Sequence, residues 1–307
     1  MSYSIYTNLV DQLIPNLSIH KGPPLELDLI LDNGAFNGIY LFGVLIYLKA
    51  LENIGRIHIN RISGSSIGAA FGVLFLNDML DKTSPLFSKM RTCWKANCDL
   101  SDWKSIITET CNLVDFDKCK HRINGKMYIN YFDTSTSKEH IISEFNTKEE
   151  LIETLFKSSY IPILVDGNVT YQNCVDGFNP TLFNERTEED RKGLFIHLLS
   201  YEKMFTAFNV RNDKNTTFRA IEGINEIHKF FLGQYTPLCS YVNEWSYRQL
   251  LTYRIRQIIY YMVIYIIRLL VISKALIPDE FYETPIWNIV SQMGSKIYKD
   301  IFFQICF

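Results

Sequence analysis

The sequence predicts an α/β fold with a mostly parallel sheet, for three reasons. Two short apolar segments, 25–34 ("LELDLILDNG") and 56–64 ("RIHINRISG"), are typical of buried strands. Each is followed by a longer apolar segment, 38–55 and 67–80, that is typical of a helix. The short connections between these elements imply parallel strands joined by crossovers. At 47% apolar and 21% charged residues, the chain has the composition of a folded protein.

The middle of the chain continues the alternation of helices and strands. The segment "TKEELIETLFKSSYIP" predicts a helix, because Thr147 and Glu150 form a capping-box pattern and Pro162 ends it. The other expected elements are two helices within 84–113, a strand pair formed by 126–136 and 139–145, and a buried strand at 193–200.

The chain divides into three expected regions: an N-terminal segment (1–24), an α/β domain (25–200) and a helical C-terminal region (201–307). The N-terminal segment lacks the basic start and continuous apolar stretch of a secretory signal. Seven scattered cysteines, an odd number, are typical of reduced thiols in a reducing compartment. We therefore expect a cytoplasmic protein.

One C-terminal segment, 258–277 ("IIYYMVIYIIRLLVISKALI"), is long and apolar enough to span a bilayer. Arg268 lies near its middle, where a charge costs about 2.5–3.5 kcal/mol. Arg254, Arg256 and Lys274 flank the apolar residues. Three interpretations remain open: a helix packed on the core, a membrane-surface helix whose basic side chains reach headgroups, and a true span. The central charge disfavours the span, so a helix packed on the core ranks first and a peripheral membrane association second.

Composition and motifs argue against nucleic-acid, metal and dinucleotide binding. The net charge is −2, and no basic block runs along the chain. Cysteines and histidines lack the spacing of a zinc site. The loop after the first strand has only Gly34 and Gly38 of a G-x-G-x-x-G pattern, and no acidic residue follows where a ribose would need one. We expect no cofactor and no metal.

The motif Gly64-Ser65-Ser66-Ile67-Gly68 has the form G-x-S-x-G. It stands between an expected strand and an expected helix, the setting of a nucleophile elbow, in which a sharp turn exposes the serine at a helix N-terminus. The alternative is an ordinary strand–helix turn in which Ser65 or Ser66 caps the helix. The motif alone leaves both interpretations open.

A second loop favours the nucleophile. The first expected strand ends in "DNGAFNGIY" (32–40), a glycine-containing loop that leads directly into a helix. Because the carboxyl ends of neighbouring parallel strands share one sheet edge, this loop is expected beside Ser66. Its backbone N–H groups could then form the oxyanion hole that serine acyl transfer requires.

Three segments carry a resemblance to a known family: "GAFNGIYLFGVLIYLKALENIG", "ISGSSIGAAFG" and "LIETLFKSSYIPILVDGNVTYQNCVDGFNP". In this order they are similar to the patatin-like phospholipases, over residues 25–200. The resemblance implies a patatin-like three-layer fold and a Ser–Asp dyad, with Ser66 as nucleophile and Asp176 as proton acceptor. The remaining implied site residues are Gly34, Ala35 and Phe36 in the oxyanion hole and the motif glycines Gly38, Gly64, Gly68 and Gly177.

The activity that the resemblance implies is lipid acyl hydrolysis without a cofactor, on a lipid or phospholipid substrate at a membrane surface. The chain departs from the family pattern at two places. Its oxyanion loop reads Asn33-Gly34-Ala35, with Asn37 where a basic residue is usual, and Phe178 follows Asp176-Gly177 where a small residue is usual. A catalytically weakened homologue that binds membrane or a partner is therefore an alternative.

A second alternative is a soluble esterase with a Ser–Asp–His triad, in which His197 or His228 assists Ser66. His197 lies in the apolar segment "LFIHLLS", which predicts a core histidine. His228 lies on a polar helix face, which predicts a solvated side chain. Both predictions favour the dyad, in which the Asp176 carboxylate itself takes the serine proton.

Overall fold

The computed structural model describes residues 3–17, 22–97, 100–183, 191–200, 203, 206–210, 216–276 and 278–306. Within them, seven strands form one sheet in the order β4-β3-β2-β1-β6-β7, with β5 also paired to β3. The central pairs are parallel and the outer ones antiparallel, which confirms the predicted α/β fold. The strands are β1 Leu25–Leu31, β2 Ile57–Gly64, β3 Met127–Asp133, β4 Lys138–Ile142, β5 Cys174–Asp176, β6 Lys192–Ile196 and β7 Cys239–Tyr241.

Helices flank this sheet. Every residue of α2 from Gly38 to Leu48 is buried, and α3 is nearly as enclosed, which explains why both segments are apolar on most faces. The predicted cap of α7 is confirmed, since the Thr147 side chain accepts a hydrogen bond from the Glu150 N–H. The helices are α1 Tyr3–Leu13, α2 Gly38–Asn53, α3 Ile67–Leu76, α4 Thr83–Asn97, α5 Trp103–Asn112, α6 Phe116–Ile123, α7 Lys148–Ser158, α8 Thr216–Phe231, α9 Tyr247–Leu276, α10 Asp279–Tyr282 and α11 Pro285–Cys306.

The register of the central strands decides where the loops emerge. Leu31, the last residue of β1, pairs with Gly64 at the end of β2 and with Ile196 at the end of β6. The loops that follow these three strands therefore leave the same edge of the sheet side by side. This edge is where parallel α/β sheets place their ligands.

The region after residue 200 is more than a helical extension. Strand β7 pairs antiparallel with β6 and adds an edge to the sheet, so the expectation of an all-helical region is incomplete. Helix α8 packs closely on α2, because Gly43 and Gly223 have no side chain at the crossing. A Cβ on Gly43 would lie 1.9 Å from the Ala220 carbonyl oxygen, and one on Gly223 would lie 2.1 Å from that of Tyr40.

Candidate active site

Ser66 lies in a strained turn between β2 and α3. Its backbone has φ 54° and ψ −124°, a combination that residues with a side chain rarely adopt. Such strain costs on the order of 1–3 kcal/mol and persists where the surrounding fold enforces it. Ser66 immediately precedes the first residue of α3, and only 6% of its surface is exposed. The turn has the strand-to-helix form that the motif predicts.

The two outer glycines of the motif allow this turn to pass close to the neighbouring backbone. A Cβ on Gly68 would lie 2.5 Å from the Leu31 carbonyl oxygen, and one on Gly64 would lie 2.7 Å from the Ala69 nitrogen. Neither obstacle is a flexible side chain, so larger residues would displace α3 from the end of β1. Both glycines are therefore required by the same close approach that holds Ser66 at the sheet edge.

Asp176 ends β5, and the structure brings its carboxylate to Ser66. Its Oδ1 accepts hydrogen bonds from the Phe178 N–H at 2.7 Å and from the Ser65 hydroxyl at 3.1 Å, and the nearby Ser66 side chain also lowers the pKa of the carboxyl group. Burial raises the pKa of Asp176 to about 6, although these hydrogen bonds and the charge of Arg256 act in the opposite direction. A carboxylate with this pKa is ionised at neutral pH and still basic enough to accept a proton.

Gly177 is needed for the same reason as the motif glycines. A Cβ there would lie 2.5 Å from the Asn130 carbonyl oxygen. The chain turns sharply after it, with Phe178 at φ 59°. The bulky Phe178 does not block Ser66, because its ring stacks on Tyr260 of α9 with the ring planes 3° from parallel.

The expected oxyanion loop lies beside Ser66. Its three N–H groups differ in whether they are free to donate to an oxyanion. The Phe36 N–H donates to the Ala207 carbonyl at 3.0 Å, so it is already occupied. Among the described residues, no hydrogen-bond acceptor is recorded for the Gly34 and Ala35 N–H groups. Ala35 has φ 44°, in the left-handed region that disfavours a side chain. Gly38, at the start of α2, faces the α3 side chain of Ile67, whose Cγ1 would lie 2.7 Å from an added Cβ.

Ser158 belongs to the site, although the sequence gave it no role. Its side chain is fully buried at the end of α7, and its hydroxyl oxygen accepts a hydrogen bond from the Ser66 N–H at 3.0 Å. Two residues later, the Tyr160 carbonyl accepts the Asp176 N–H, also at 3.0 Å. The segment after α7 thus supports both members of the pair. Its only sequence signal is the S-x-x-x-P pattern that ends at Pro162.

A cavity of about 380 Å³ opens onto Ser66 and Asp176. Its walls are almost entirely apolar, and this volume lies within the range of small-molecule sites. One wall belongs to the sheet-edge loops and includes Gly34 and Ala35. The opposite wall belongs to α9, a helix about 45 Å long, and its lining residues are Ile259, Tyr260, Val263, Ile264 and Ile267.

Helix α9 combines a packed stripe with an exposed apolar remainder. Tyr253, Tyr260, Ile264 and Ile267 are buried against the core at helical spacing. Large apolar side chains on its other faces are exposed; examples are Ile258, Met262, Tyr265 and Ile266. The segment therefore packs on the core, as the first interpretation predicts, but through one stripe only. The exposed remainder leaves a membrane-surface role open.

The basic residues of this segment do not share one environment. Arg256 is directed inward and forms an ion pair with Asp32. The expectation that it reaches lipid headgroups is therefore wrong. Arg268 bonds to the Ser137 hydroxyl, whereas Arg254 is exposed and donates to Gln257. The side chain of Lys274 lies outside the described residues.

The two candidate histidines, His197 and His228, lie away from Ser66. His197 Nε2 hydrogen-bonds to Ser240 Oγ at 2.7 Å in a separate cavity next to Trp245, and burial lowers its pKa to about 4. His228 is buried and hydrogen-bonds to the Tyr47 hydroxyl at 2.8 Å, so the prediction of a solvated side chain is wrong. Neither lines the cavity at Ser66.

Metal and membrane features are limited in the part of the chain that the structure describes. No group of three or more His, Cys, Asp or Glu residues there is arranged to hold a metal ion. Two helical segments are long and apolar enough to cross a membrane. The first, Ala35–Asn53, is 78% buried and is the core helix α2, whereas the second, Tyr247–Ser273, is only 18% buried.

Comparisons with known proteins add little to this geometry. No family model matches the sequence, and no curated protein matches it. Among solved structures, the chain is similar to the crystal structure of VipD from Legionella pneumophila, with 12% sequence identity and a TM-score of 0.33. The similarity covers 58% of this chain and spans about half of the VipD chain, 52%. Because a likeness of this size supports no statement about activity, the candidate site depends on its own geometry.

Proposed function

We propose that this protein is a lipid acyl hydrolase, a phospholipase A-like serine esterase that works through a Ser66–Asp176 dyad. The observation that carries the proposal is the position of Ser66, in its strained turn, next to the Asp176 carboxylate, with both residues lining one apolar cavity. Serine becomes nucleophilic when a base within hydrogen-bond reach accepts its proton. Histidine has no part in this mechanism.

The proposed reaction proceeds in two halves. Ser66 Oγ attacks the ester carbonyl carbon while Asp176 takes the hydroxyl proton. The N–H groups of Gly34 and Ala35 donate to the resulting oxyanion, and Asp176 returns its proton to the leaving alcohol oxygen as the carbon–oxygen bond breaks. Water then attacks the acyl-serine ester, Asp176 takes a proton from that water, and return of the proton to Ser66 Oγ releases the fatty acid.

The shape of the cavity supports a fatty acyl substrate. Apart from Ser66, Asp176 and the oxyanion loop with Asn33, its walls are the side chains of Ile161, Pro162, Val175, Phe178, Leu199, Ala207, Phe208 and the α9 residues. An acyl chain buried there would gain about 0.8 kcal/mol per CH₂ group. The head group of a phospholipid would remain at the mouth, outside the apolar walls.

We also propose a cytoplasmic location with peripheral membrane association, which the exposed apolar faces of α9 support. Isolated exposed apolar residues are ordinary, but a continuous set such as Ile258, Met262 and Tyr265 on one helix is typical of a binding surface. Arg254 on the same helix would contact anionic headgroups. Because α9 also forms a wall of the cavity, binding by its outer face would bring the cavity mouth to lipid.

The proposal is tested by labelling purified protein with a fluorophosphonate and measuring hydrolysis of a short-chain ester and of phospholipid vesicles. Ser66→Ala is expected to abolish labelling and to reduce hydrolysis by at least about 10³-fold. The matched control is Ser63→Ala, which removes a buried hydroxyl on β2 that has no hydrogen-bond partner within the described part of the chain. Wild-type protein that neither labels at Ser66 nor hydrolyses either substrate would contradict the proposal and favour the non-catalytic binding protein.

A further inference from the structure

One side chain of α9, Arg256, contacts both the oxyanion loop and the loop that follows Asp176. The Arg256 guanidinium donates to both Asp32 carboxylate oxygens, from Nη1 at 2.9 Å and from Nη2 at 2.5 Å. Nη2 also donates to Asn33 Oδ1 at 2.8 Å and to the Phe178 carbonyl at 3.2 Å. Asp32 is fully buried, so this is an ion pair inside the protein and not a surface contact.

The partners of Arg256 stand next to the groups that the reaction needs. Asp32 and Asn33 directly precede Gly34, the first donor of the proposed oxyanion hole. The residue that offers its carbonyl, Phe178, is the one whose N–H donates to Asp176. A single guanidinium therefore joins the oxyanion loop to the loop of the base.

We propose that Arg256 is a positioning residue of this site, which holds the oxyanion loop and the Asp176 loop at a fixed separation from within α9. The inference rests on the proposed function, because it assigns Arg256 a part in the same reaction. It also makes the C-terminal region a component of the active site. Planar guanidinium groups suit this task, since they offer several donors in fixed directions, which lysine does not.

A second contact of α9 acts on the same loop. The Tyr260 hydroxyl donates to the Asp176 carbonyl, and the Tyr260 ring stacks on Phe178 at 5.1 Å between centroids. Arg256 and Tyr260 are one helical turn apart, so both contacts depend on the same face of α9. Removing Arg256 alone should loosen the oxyanion loop more than the Asp176 loop, because Tyr260 still holds the latter.

The charge of Arg256 also acts on the base. Two titratable groups of α9, Arg256 and Tyr260, interact with the Asp176 carboxylate. Asp32 after β1 and Tyr253 of α9 act in turn on Arg256, and Glu139 on β4 acts on Tyr260. Among them, Arg256 is the positive charge, and it lowers the pKa of Asp176 against the larger effect of burial. Loss of this charge should raise the pH at which Asp176 ionises, which a purely structural role for Arg256 would not require.

The test uses the full chain with a soluble short-chain ester, so that membrane binding does not enter. Arg256→Gln is expected to lower kcat by at least about 10-fold with little change in KM, because the oxyanion loop is displaced. The midpoint of the acidic limb of the kcat–pH profile should move to higher pH. Arg256→Lys, which keeps the charge and loses the paired donors, should restore the midpoint while kcat stays below that of the wild type.

Two further variants separate positioning from general loss of stability. Arg61→Gln is the matched control, because Arg61 forms an equally enclosed ion pair with Asp28 on neighbouring strands, at 3.0 Å. It should leave kcat and the pH midpoint unchanged. Arg256→Gln leaves the Asp32 carboxylate buried without a cation, so the double variant with Asp32→Asn serves where the single one fails to fold. The double variant should fold and still show the lowered kcat.

The outcomes distinguish this inference from the proposed function. Wild-type protein that labels at Ser66, together with a folded Arg256→Gln or double variant whose kcat is unchanged, would overturn the role of Arg256 alone. An equal loss of kcat in Arg61→Gln would also overturn it, because the effect would then follow stability. Wild-type protein that fails to label at Ser66 would contradict the proposed function, and the inference with it.

Discussion

The turn that carries Ser66 and the helix that covers it differ in what surrounds their apolar residues. Around the turn, α2 and α3 are buried almost throughout, and glycines stand where another backbone lies too close for a Cβ. Along α9, only one stripe is packed, and Ile258 or Met262 are more than half exposed. Close packing inside the protein explains the sequence of the first region. It does not explain the sequence of the second region, because the apolar outer face of α9 packs against no part of the described chain. A membrane or partner surface would account for that face.

The two regions also differ in how their polar groups are satisfied. At the turn, the Asp176 carboxylate accepts hydrogen bonds from the Ser65 hydroxyl and the Phe178 N–H, and burial makes it costly to ionise. On α9, Arg256 is inserted into this site while Arg254, two residues earlier, is exposed. The helix therefore serves the site with one face and leaves the other for a surface. Four variants test this division, in order of decreasing expected effect.

The largest effect is expected at the base of the dyad. Asp176→Asn should reduce ester hydrolysis by at least about 10³-fold, because the amide cannot accept the serine proton. It should also stabilise the protein at pH 8. The pKa of Asp176 is about 6 when folded and near 3.9 in an unfolded chain, so the protonated form favours folding at low pH and that contribution is lost as the pH rises through about 6.

The expected gain for Asp176→Asn at pH 8 is on the order of 3 kcal/mol in the free energy of unfolding. It should fall below about 1 kcal/mol near pH 4, where the wild-type carboxyl is protonated in the folded state and about half protonated in the unfolded chain. Urea unfolding at the two pH values measures it. A variant that is inactive and less stable at both pH values would show that Asp176 is a structural residue. The turn at Ser66 would then have no base beside it, and the contrast between a catalytic turn and a covering helix would fail.

A smaller effect is expected on the outer face of α9. Ile258→Gln with Met262→Gln should weaken binding to anionic vesicles by about 10-fold or more, because each side chain contributes about 1.5–3 kcal/mol when fully buried. Hydrolysis of a soluble ester should be unchanged. The matched control is Ile54→Gln, since Ile54 at the end of α2 is exposed to the same degree, 54% against 55% for Ile258.

Salt and alkaline washing refine this second test. Arg254→Glu should weaken vesicle binding further at low salt, and added salt should reduce the difference. Release of bound protein by alkaline carbonate would agree with docking on the surface, and retention would favour a span. Wild-type protein that never sediments with vesicles would show that the outer face serves a protein partner or none.

A change of a few-fold is expected in the oxyanion loop. Ala35→Gly should raise kcat roughly two- to fivefold without changing KM, because glycine adopts φ 44° without strain and its N–H can then turn freely toward the oxyanion. Steady-state kinetics on a soluble ester measure the effect. A lower kcat at unchanged KM would show instead that the alanine side chain holds the loop in its active shape.

The smallest effect is expected at His197. His197→Gln should leave kcat within about twofold of the wild type, since His197 hydrogen-bonds to Ser240 in a different cavity and its lowered pKa keeps it neutral at pH 7. Thermal unfolding in parallel measures the loss of the buried contact. Selective loss of hydrolysis in a variant of normal stability would restore the Ser–Asp–His triad.

The sequence by itself determined the alternation of strands and helices and the position of Ser66 between β2 and α3. These features are local: apolar segments of different length predict strands or helices, and paired glycines predict a tight turn. The order of Ser66 and Asp176 along the chain also follows from the sequence, through the resemblance of its three segments. What the sequence could not give is the distance between the two residues, because the turn that holds Ser66 and the strand that ends at Asp176 are far apart along the chain.

Only the tertiary structure decided which groups serve Ser66. Arg256 lies 224 residues after Asp32, and nothing in its local sequence separates it from Arg254, which is exposed. Segment 258–277 is apolar on all faces, so its periodicity could not say which face packs. Likewise, the sequence predicted the Phe36 N–H as an oxyanion donor, whereas in the fold it donates to the Ala207 carbonyl. Contacts between distant segments depend on how the whole chain packs, and a local pattern carries no information about them.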